Sequence, residues 1–224
     1  MVPYSYSQHG DSEYYVRMNN IKWMIDDCDE NRLSNAIDKQ LDICDIHFHE
    51  GFDQSIKPLA NCTNLQQITF NSVFNQPIED LAYCTNLQQI TFGYCFNQPI
   101  EALASCANLQ RITFGYCFGY SIKALSNCTN LQQITFGSNY NHPIKALANC
   151  KNLQQITFGS NYNHPIETLA NCTNLQQITF GRHFNQPIEA LAKCMCLKTI
   201  TFGRQALFNH PISNLIGKVN IIRC

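Results

Sequence analysis

The chain's 13 cysteines are the first residues whose type and spacing could do chemistry. Seven of them fall at 62, 84, 106, 128, 150, 172 and 194, one every 22 residues without a slip. A cysteine attacks or ligates as its thiolate, which needs a basic, partly exposed setting. A position copied rung after rung has no setting of its own, and a buried free cysteine packs as a small hydrophobe. A thiol hydrolase would instead show one cysteine with fast alkylation. Pairing along the ladder is opposed by geometry. Side chains in register point the same way, against the Cβ–S–S–Cβ dihedral of roughly 90° that a disulfide needs. Cys95 and Cys117 form a second, two-member ladder, also read as unpaired.

The remaining candidates are weaker. Cys44, His47 and His49 lie close together, and the two histidines share one face of a strand. No further ligand stands at a defined spacing, so they are read as surface residues of a capping rung. Cys194-x-Cys196 has no second pair to match it. His142, His164 and His210 replace a repeating glutamine in a turn, at the surface. No nucleophile, base and orienting group converge in an unrepeated context. The sequence therefore assigns no catalytic residue, no metal and no cofactor.

The elements that carry these residues come from a repeat, best seen over 61–82. Leucines recur at 65, 87, 109, 131, 153, 175 and 197, isoleucines at 68, 90, 112, 134, 156, 178 and 200, and phenylalanines at 70, 92, 114, 136, 158, 180 and 202. A fixed period of roughly 20–50 residues marks a solenoid or array. Leu65–Phe70 reads as a short strand, with Ile68 and Phe70 on one face and Gln67 and Thr69 on the other. Glycine follows the phenylalanine in six rungs, from Gly93 to Gly203, where the turn needs positive φ or close backbone approach. An aromatic–Asn pair then precedes Pro-Ile, and an Asn at such a bend bonds nearby backbone. Pro77–Ala82 is too short for an independent α-helix and predicts one helical turn on the outer side. The fold class is an α/β solenoid of 22-residue rungs, with a parallel sheet on one face and short helical turns on the other.

The ends depart from this pattern. Residues 1–38 form a helical N-terminal cap, with one helix from Asn20 carrying Ile21, Met24, Ile25 and Cys28 on one face. A second runs from about Asn31 with Leu33, Ala36 and Ile37 inward. Residues 39–60 are a degenerate first repeat, in which Ile43, Ile46, Phe48, Phe52 and Ile56 take the positions of Leu65, Ile68, Phe70, Phe74 and Ile78. Regular repeats fill 61–205. The C-terminal cap, 206–224, starts with two extra residues, Ala206 and Leu207, and closes on a strand over 218–223. Solenoid ends expose an apolar layer, and capping rungs cover it.

Bulk properties exclude several classes. The net charge is −1 and charged residues make up 14%, so no basic field draws nucleic acid. No apolar run approaches the roughly 18 residues of a membrane span. The first residues carry neither a basic n-region nor an apolar h-region, so no secretory signal is read. The expected location is a reducing compartment, the cytoplasm, or host cytoplasm if the chain is viral. The Asn-Cys-Thr sequons at Asn61, Asn127 and Asn171 are then repeat grammar.

Phe-Asn-x-Pro-Ile at a 22-residue spacing, with Leu-x-x-Ile-x-Phe between, resembles the FNIP repeat over roughly residues 39–215. That family is related to leucine-rich repeats and occurs in social amoebae and giant viruses of amoebae. The resemblance implies a leucine-rich-repeat-like right-handed superhelix whose Leu-x-x-Ile-x-Phe segments line one curved face. Many members carry an N-terminal F-box, which implies substrate selection for a ubiquitin ligase. Residues 1–38 are shorter than an F-box and lack its Leu-Pro opening. The ubiquitin link here requires an F-box supplied elsewhere.

With repetition opposing catalysis, the expected function is a non-enzymatic scaffold that binds a protein partner through the strand face. Its constant part is Gln67, Gln89, Gln133, Gln155 and Gln177 beside the threonine row Thr69 to Thr201, with Arg111 and Thr199 interrupting the glutamines. Its variable part follows each strand. There Tyr94 with Tyr116, and Arg182 with Arg204, form adjacent pairs of residue types that dominate interface energetics. The alternative is a Gln/Thr array for an ordered surface such as ice or polysaccharide. On the outer turns Glu79, Glu101, Lys123, Lys145, Glu167 and Glu189 form a charge ladder, with opposite charges meeting at 101/123 and 145/167. Such exposed pairs contribute about 0–1 kcal/mol each.

Overall fold

The computed structural model describes residues 15–18, 21–24, 34, 37, 43–48 and 50–224. One sheet carries every described strand, in the order β11-β10-β9-β8-β7-β6-β5-β4-β3-β1-β2. The strands are β1 (Tyr15–Met18), β2 (Ile21–Met24), β3 (Ile43–His47), β4 (Gln67–Thr69), β5 (Gln89–Thr91), β6 (Arg111–Thr113), β7 (Gln133–Thr135), β8 (Gln155–Thr157), β9 (Gln177–Phe180), β10 (Thr199–Phe202) and β11 (Asn220–Arg223). From β3 to β11 all neighbours are parallel and in register, so Ile46, Ile68, Ile90 and their successors form one inward row. This is the expected solenoid. β1 pairs antiparallel with both β2 and β3 at the N-terminal end.

That end differs from the sequence expectation. Ile21 and Met24, placed above on a helix face, lie in strand β2. A run of apolar residues this short fits either period, and pairing with β1 decides it. Ser34 and Ile37 have helical backbone, and Ile37 is buried. Ile25, Cys28, Leu33, Ala36 and His49 lie outside the described residues.

Each rung turns back on a five-residue 3₁₀ segment, such as Glu79–Tyr83 and Glu101–Ser105. The sequence explains why it is 3₁₀. Ile78, Leu81, Cys84 and Leu87 recur every third residue, and a 3₁₀ helix has three residues per turn. All four are buried. They are joined head to tail: Leu81 N–H donates to Ile78 O, Cys84 N–H to Leu81 O and Leu87 N–H to Cys84 O, each at 3.0 Å. In five rungs proline stands just before the N-cap isoleucine, as Pro77 does before Ile78, and its ring fixes φ at the entry to the turn.

The interior is a double aromatic column. Within a rung the two rings stack closely, at 3.9 Å for Phe92–Phe96 and 4.0 Å for Phe114–Phe118. Between rungs they stack at 5.6 Å for Phe92–Phe114 and 6.2 Å for Phe96–Phe118. At the C-terminal end the Arg223 guanidinium lies 5.2 Å from the Phe202 ring and 5.9 Å from Phe208, capping the column.

The glycines are explained by close approach and not by positive φ. A Cβ on Gly115 would sit 1.7 Å from Gly93 O, and one on Gly137 1.7 Å from Gly115 O. Each glycine lets the next rung's backbone seat against its own. Asn71, in the first regular rung, begins the series and donates from Nδ2 to Phe48 O at 2.9 Å. Asparagines then tie rung to rung: Asn97 N–H donates to Asn75 Oδ1 at 2.8 Å, and Asn185 N–H to Asn163 Oδ1 at 2.9 Å.

Candidate functional site

The strand face brings together the predicted row. Gln67, Gln89, Arg111, Gln133, Gln155 and Gln177 stand in successive register, with Asp45 before them and Thr199 after. Thr69 to Thr201 run beside them, all half-buried. Arg111 and Gln177 are exposed, and the other four glutamines are half-buried. Asp45 Oδ1 lies 3.1 Å from His47 Nε2, an ion pair when His47 is protonated. The charge ladder on the outer turns stays exposed, and among the described residues no ion pair joins Glu101 to Lys123 or Lys145 to Glu167.

The variable residues lie on a ridge at the turn that follows each strand. The ridge is itself hydrogen-bonded from rung to rung: Cys95 N–H to Ser72 O, Cys117 N–H to Tyr94 O, Asn139 N–H to Tyr116 O, Asn161 N–H to Ser138 O and His183 N–H to Ser160 O, at 2.8 to 3.1 Å. This second ladder fixes the spacing of its side chains. Tyr94 and Tyr116 stack with ring centroids 4.8 Å apart and planes 6° from parallel. They stay 54% and 44% exposed, and Tyr120, on the rung of Tyr116, and Val73, on the rung before Tyr94, are 43% and 41% exposed.

The basic end is built differently from the sequence expectation. Leu207 N–H, not that of Gln205, donates to Arg182 O at 2.8 Å. The inserted pair is therefore Arg204-Gln205, and Ala206 follows Arg182 in the ladder. Gln205 takes positive φ, 56°, as the bulge requires. Arg204 stands on this bulge, one rung beyond Arg182 and out of its column, and both are exposed. Counting residues back from the motif's phenylalanine, Phe208, would have found this.

The cysteine ladder is buried and unpaired. Burial pushes the thiols far above their ordinary 9.0, to about 12 for Cys62 and Cys172 and about 11 for Cys106 and Cys150. For Cys84, burial leads and neighbouring Cys62, Cys106 and Asp80 add to it, to about 12. The thiols donate to carbonyls of the preceding rung, as Cys84 Sγ does to Leu59 O at 3.4 Å. These are packing groups and not thiolates. His142 and His164 take the glutamine's place as donors. Their Nε2 atoms lie 2.6 Å from Gly119 O and 2.9 Å from Asn141 O, as Gln98 Nε2 lies 2.9 Å from Asn75 O. Among the described residues no group of three or more His, Cys, Asp or Glu could hold a metal, and no helix is long and apolar enough to cross a membrane.

Parallel strands on one face, 3₁₀ turns on the other and an asparagine ladder between rungs define a leucine-rich-repeat solenoid. The chain belongs to the BspA type leucine rich repeat region family, whose model matches six copies over residues 55–142 and 121–208. No curated protein matches the sequence. The fold is similar to two internalins of Listeria monocytogenes. The internalin inlF has TM-score 0.67 and 18% identity over 87% of this chain and 64% of its own. The internalin C2 has TM-score 0.66 and 16% identity over 86% of this chain and 91% of its own. A leucine-rich repeat protein of Leptospira interrogans has TM-score 0.62 and 14% identity over 74% and 44%. The chain thus spans less than two thirds of the inlF structure it matches.

Proposed function

We propose that this chain is a protein-interaction scaffold that holds its partner on the strand face and the ridge beside it, with no catalytic step. The observation that carries the reading is the Tyr94–Tyr116 pair, two large rings stacked on each other and left exposed in a molecule that buries its other repeated aromatics. Ordered tyrosines offer large contact area at small entropic cost, which makes them frequent hot spots. The test is affinity capture from lysate of the cell that makes the chain. Wild type is compared with a variant carrying alanine at Tyr94, Tyr116, Arg182 and Arg204, after both are shown to fold. A partner held by wild type and lost by the variant supports the reading. A partner held equally by both moves the contact elsewhere.

The finer reading extends the FNIP resemblance. Capture on this face would select a substrate for a ubiquitin ligase, with an F-box supplied elsewhere. Cullin-type ligase components in the captured set would support it. The second reading, an array for ice or polysaccharide, draws on the in-register threonine row. Ice-growth inhibition tests it, although Arg111 breaks the flat polar lattice it needs.

A further inference from the structure

From the second regular rung, after Ser72-Val73, to the bulge at Arg204, the ridge's chemistry changes in order. Tyr94 and Tyr116 give way to the small polar pairs Ser138-Asn139 and Ser160-Asn161, and these give way to Arg182 with His183 and then Arg204. The charge is sorted as well. Beyond Asp53 the chain's acidic residues are Glu79, Asp80, Glu101, Glu167 and Glu189. Every one lies in a 3₁₀ turn on the opposite side. The ridge and strand face beyond Asp53 therefore carry cations and no acid.

We infer that the ridge binds an extended protein segment with aromatic or proline residues at one end and acidic residues at the other. This rests on the scaffold reading above and names the partner's chemistry. The stacked tyrosines present a flat apolar platform to the first end. Arg182 and Arg204, with no acid facing them from the sheet, present unneutralised charge to the second. The middle zone is short and polar, so backbone can pass close to it. The hydrogen-bonded ridge holds Tyr94 to Arg182 in line before any partner arrives, with Arg204 on the bulge one rung beyond, which lowers the ordering cost of binding. At about 4.8 Å per rung, Tyr94 to Arg204 spans roughly 24 Å, the length of about seven extended residues. Nucleic acid fits less well. A strand of phosphates needs charge along its whole length, and the ridge offers it at one end only, in a chain of net charge −1.

The test is fluorescence anisotropy of the full chain with labelled synthetic peptides. The probe has aromatic residues at one end, serines in the middle and glutamates at the other, made in both chain directions. Controls replace the glutamates by glutamines or the aromatics by alanines. We expect one direction to bind, each control to bind about tenfold more weakly, and affinity to fall with salt. Arg182→Glu with Arg204→Glu should lose the glutamate preference, and Arg182→Gln with Arg204→Gln provides the same reading if the reversal fails to fold. Lys123→Glu with Lys145→Glu, on the opposite face, should change nothing. Equal binding of the glutamine peptide, equal loss from the lysine reversal, or stronger binding of a single-stranded oligonucleotide of matched length would overturn the inference. If all peptides fail while the captured partner still depends on Tyr94 and Tyr116, the scaffold reading stands and this one falls.

Discussion

Two stripes run the length of this molecule a few residues apart, and they obey opposite rules. The interior columns hardly change: phenylalanine stacks on phenylalanine, and the buried cysteine repeats with no exception. The ridge beside them varies, from Ser72 through Tyr94 and Tyr116, then Ser138 and Ser160, to Arg182. The backbone ladders of the two stripes are equally regular. What differs is the neighbour. An interior side chain packs on copies of itself above and below, so one altered ring misfits two rungs. A ridge side chain meets solvent on one side, so it can differ from its neighbours at little cost. In a quasi-one-dimensional fold, repetition marks packing and departures from it mark where recognition can be written.

The sharpest way to break this contrast is alkali. The ladder thiols have folded values raised to about 11–12 from an ordinary 9.0. A raised folded value means that the unfolded chain ionises first. Stability is therefore fully present below pH 9 and is lost as pH rises from 9 toward 12, by about 1.4 kcal/mol per pH unit for each thiol. Urea titrations at rising pH should show a steep collapse that becomes shallower in Cys84→Ala. Native protein at neutral pH should label at the exposed Cys196 and Cys224 and not at the ladder. Fast labelling of any ladder cysteine would contradict the burial described here.

Next in size is a direct exchange between the stripes. Phe114→Ala opens the column between Phe92 and Phe136 and should cost about 3–5 kcal/mol. Tyr116→Ala, two residues on, should cost less than about 0.5 kcal/mol. Chemical denaturation of the two variants measures the difference directly, and similar values would mean that the ridge is structural. The glycines sharpen the point further. Gly137→Ala drives a methyl into Gly115 O at 1.7 Å and should cost about 3 kcal/mol. Gly203→Ala meets Phe180 O at 3.2 Å, beside the bulge, and should cost well under half of that.

Most of the fold was legible because the determinants repeat. The inward Ile and Phe, the three-residue spacing of Ile78, Leu81, Cys84 and Leu87, and the asparagine bends all act between neighbouring rungs, so the period displays them. The ends were less legible for the same reason. Ile21–Met24 has no copy to compare with, and its strand is set by pairing with β1 and not by its own apolar spacing. The candidate site was half legible. Tyr94 and Tyr116 differ by one period and stack as expected. Arg182 and Arg204 also differ by one period, yet the insertion between Gly203 and Phe208 moves Arg204 out of the column, as the hydrogen bond from Leu207 to Arg182 and the count back from Phe208 both show.

Smaller effects probe places where one rung breaks the rule of its stripe. Tyr140 stands in the phenylalanine column with its hydroxyl buried and without a partner. Tyr140→Phe should therefore raise stability by about 1 kcal/mol, since it removes an unsatisfied buried group and leaves the stack intact. No gain would mean that the hydroxyl has a partner in solution.

The smallest change concerns Gly119. Its N–H takes the Asn97 side chain as acceptor at 3.0 Å, but it has no side chain to offer the N–H of Asn141 in the next rung. The ladder resumes only when Asn163 N–H donates to Asn141 Oδ1 at 3.0 Å. A Cβ at Gly119 would meet its nearest neighbour at an ordinary 3.8 Å, so an asparagine fits. Gly119→Asn should close the gap and also reduce the freedom of the unfolded chain, with a gain of about 0.5–1 kcal/mol together. Thermal denaturation would show it as a rise of a few degrees for a domain of this size. A loss of stability would mean that the break is maintained for the conformation of Tyr120 beside it. Glycine at 119 would then belong to the ridge and its partner, and not to the solenoid's packing.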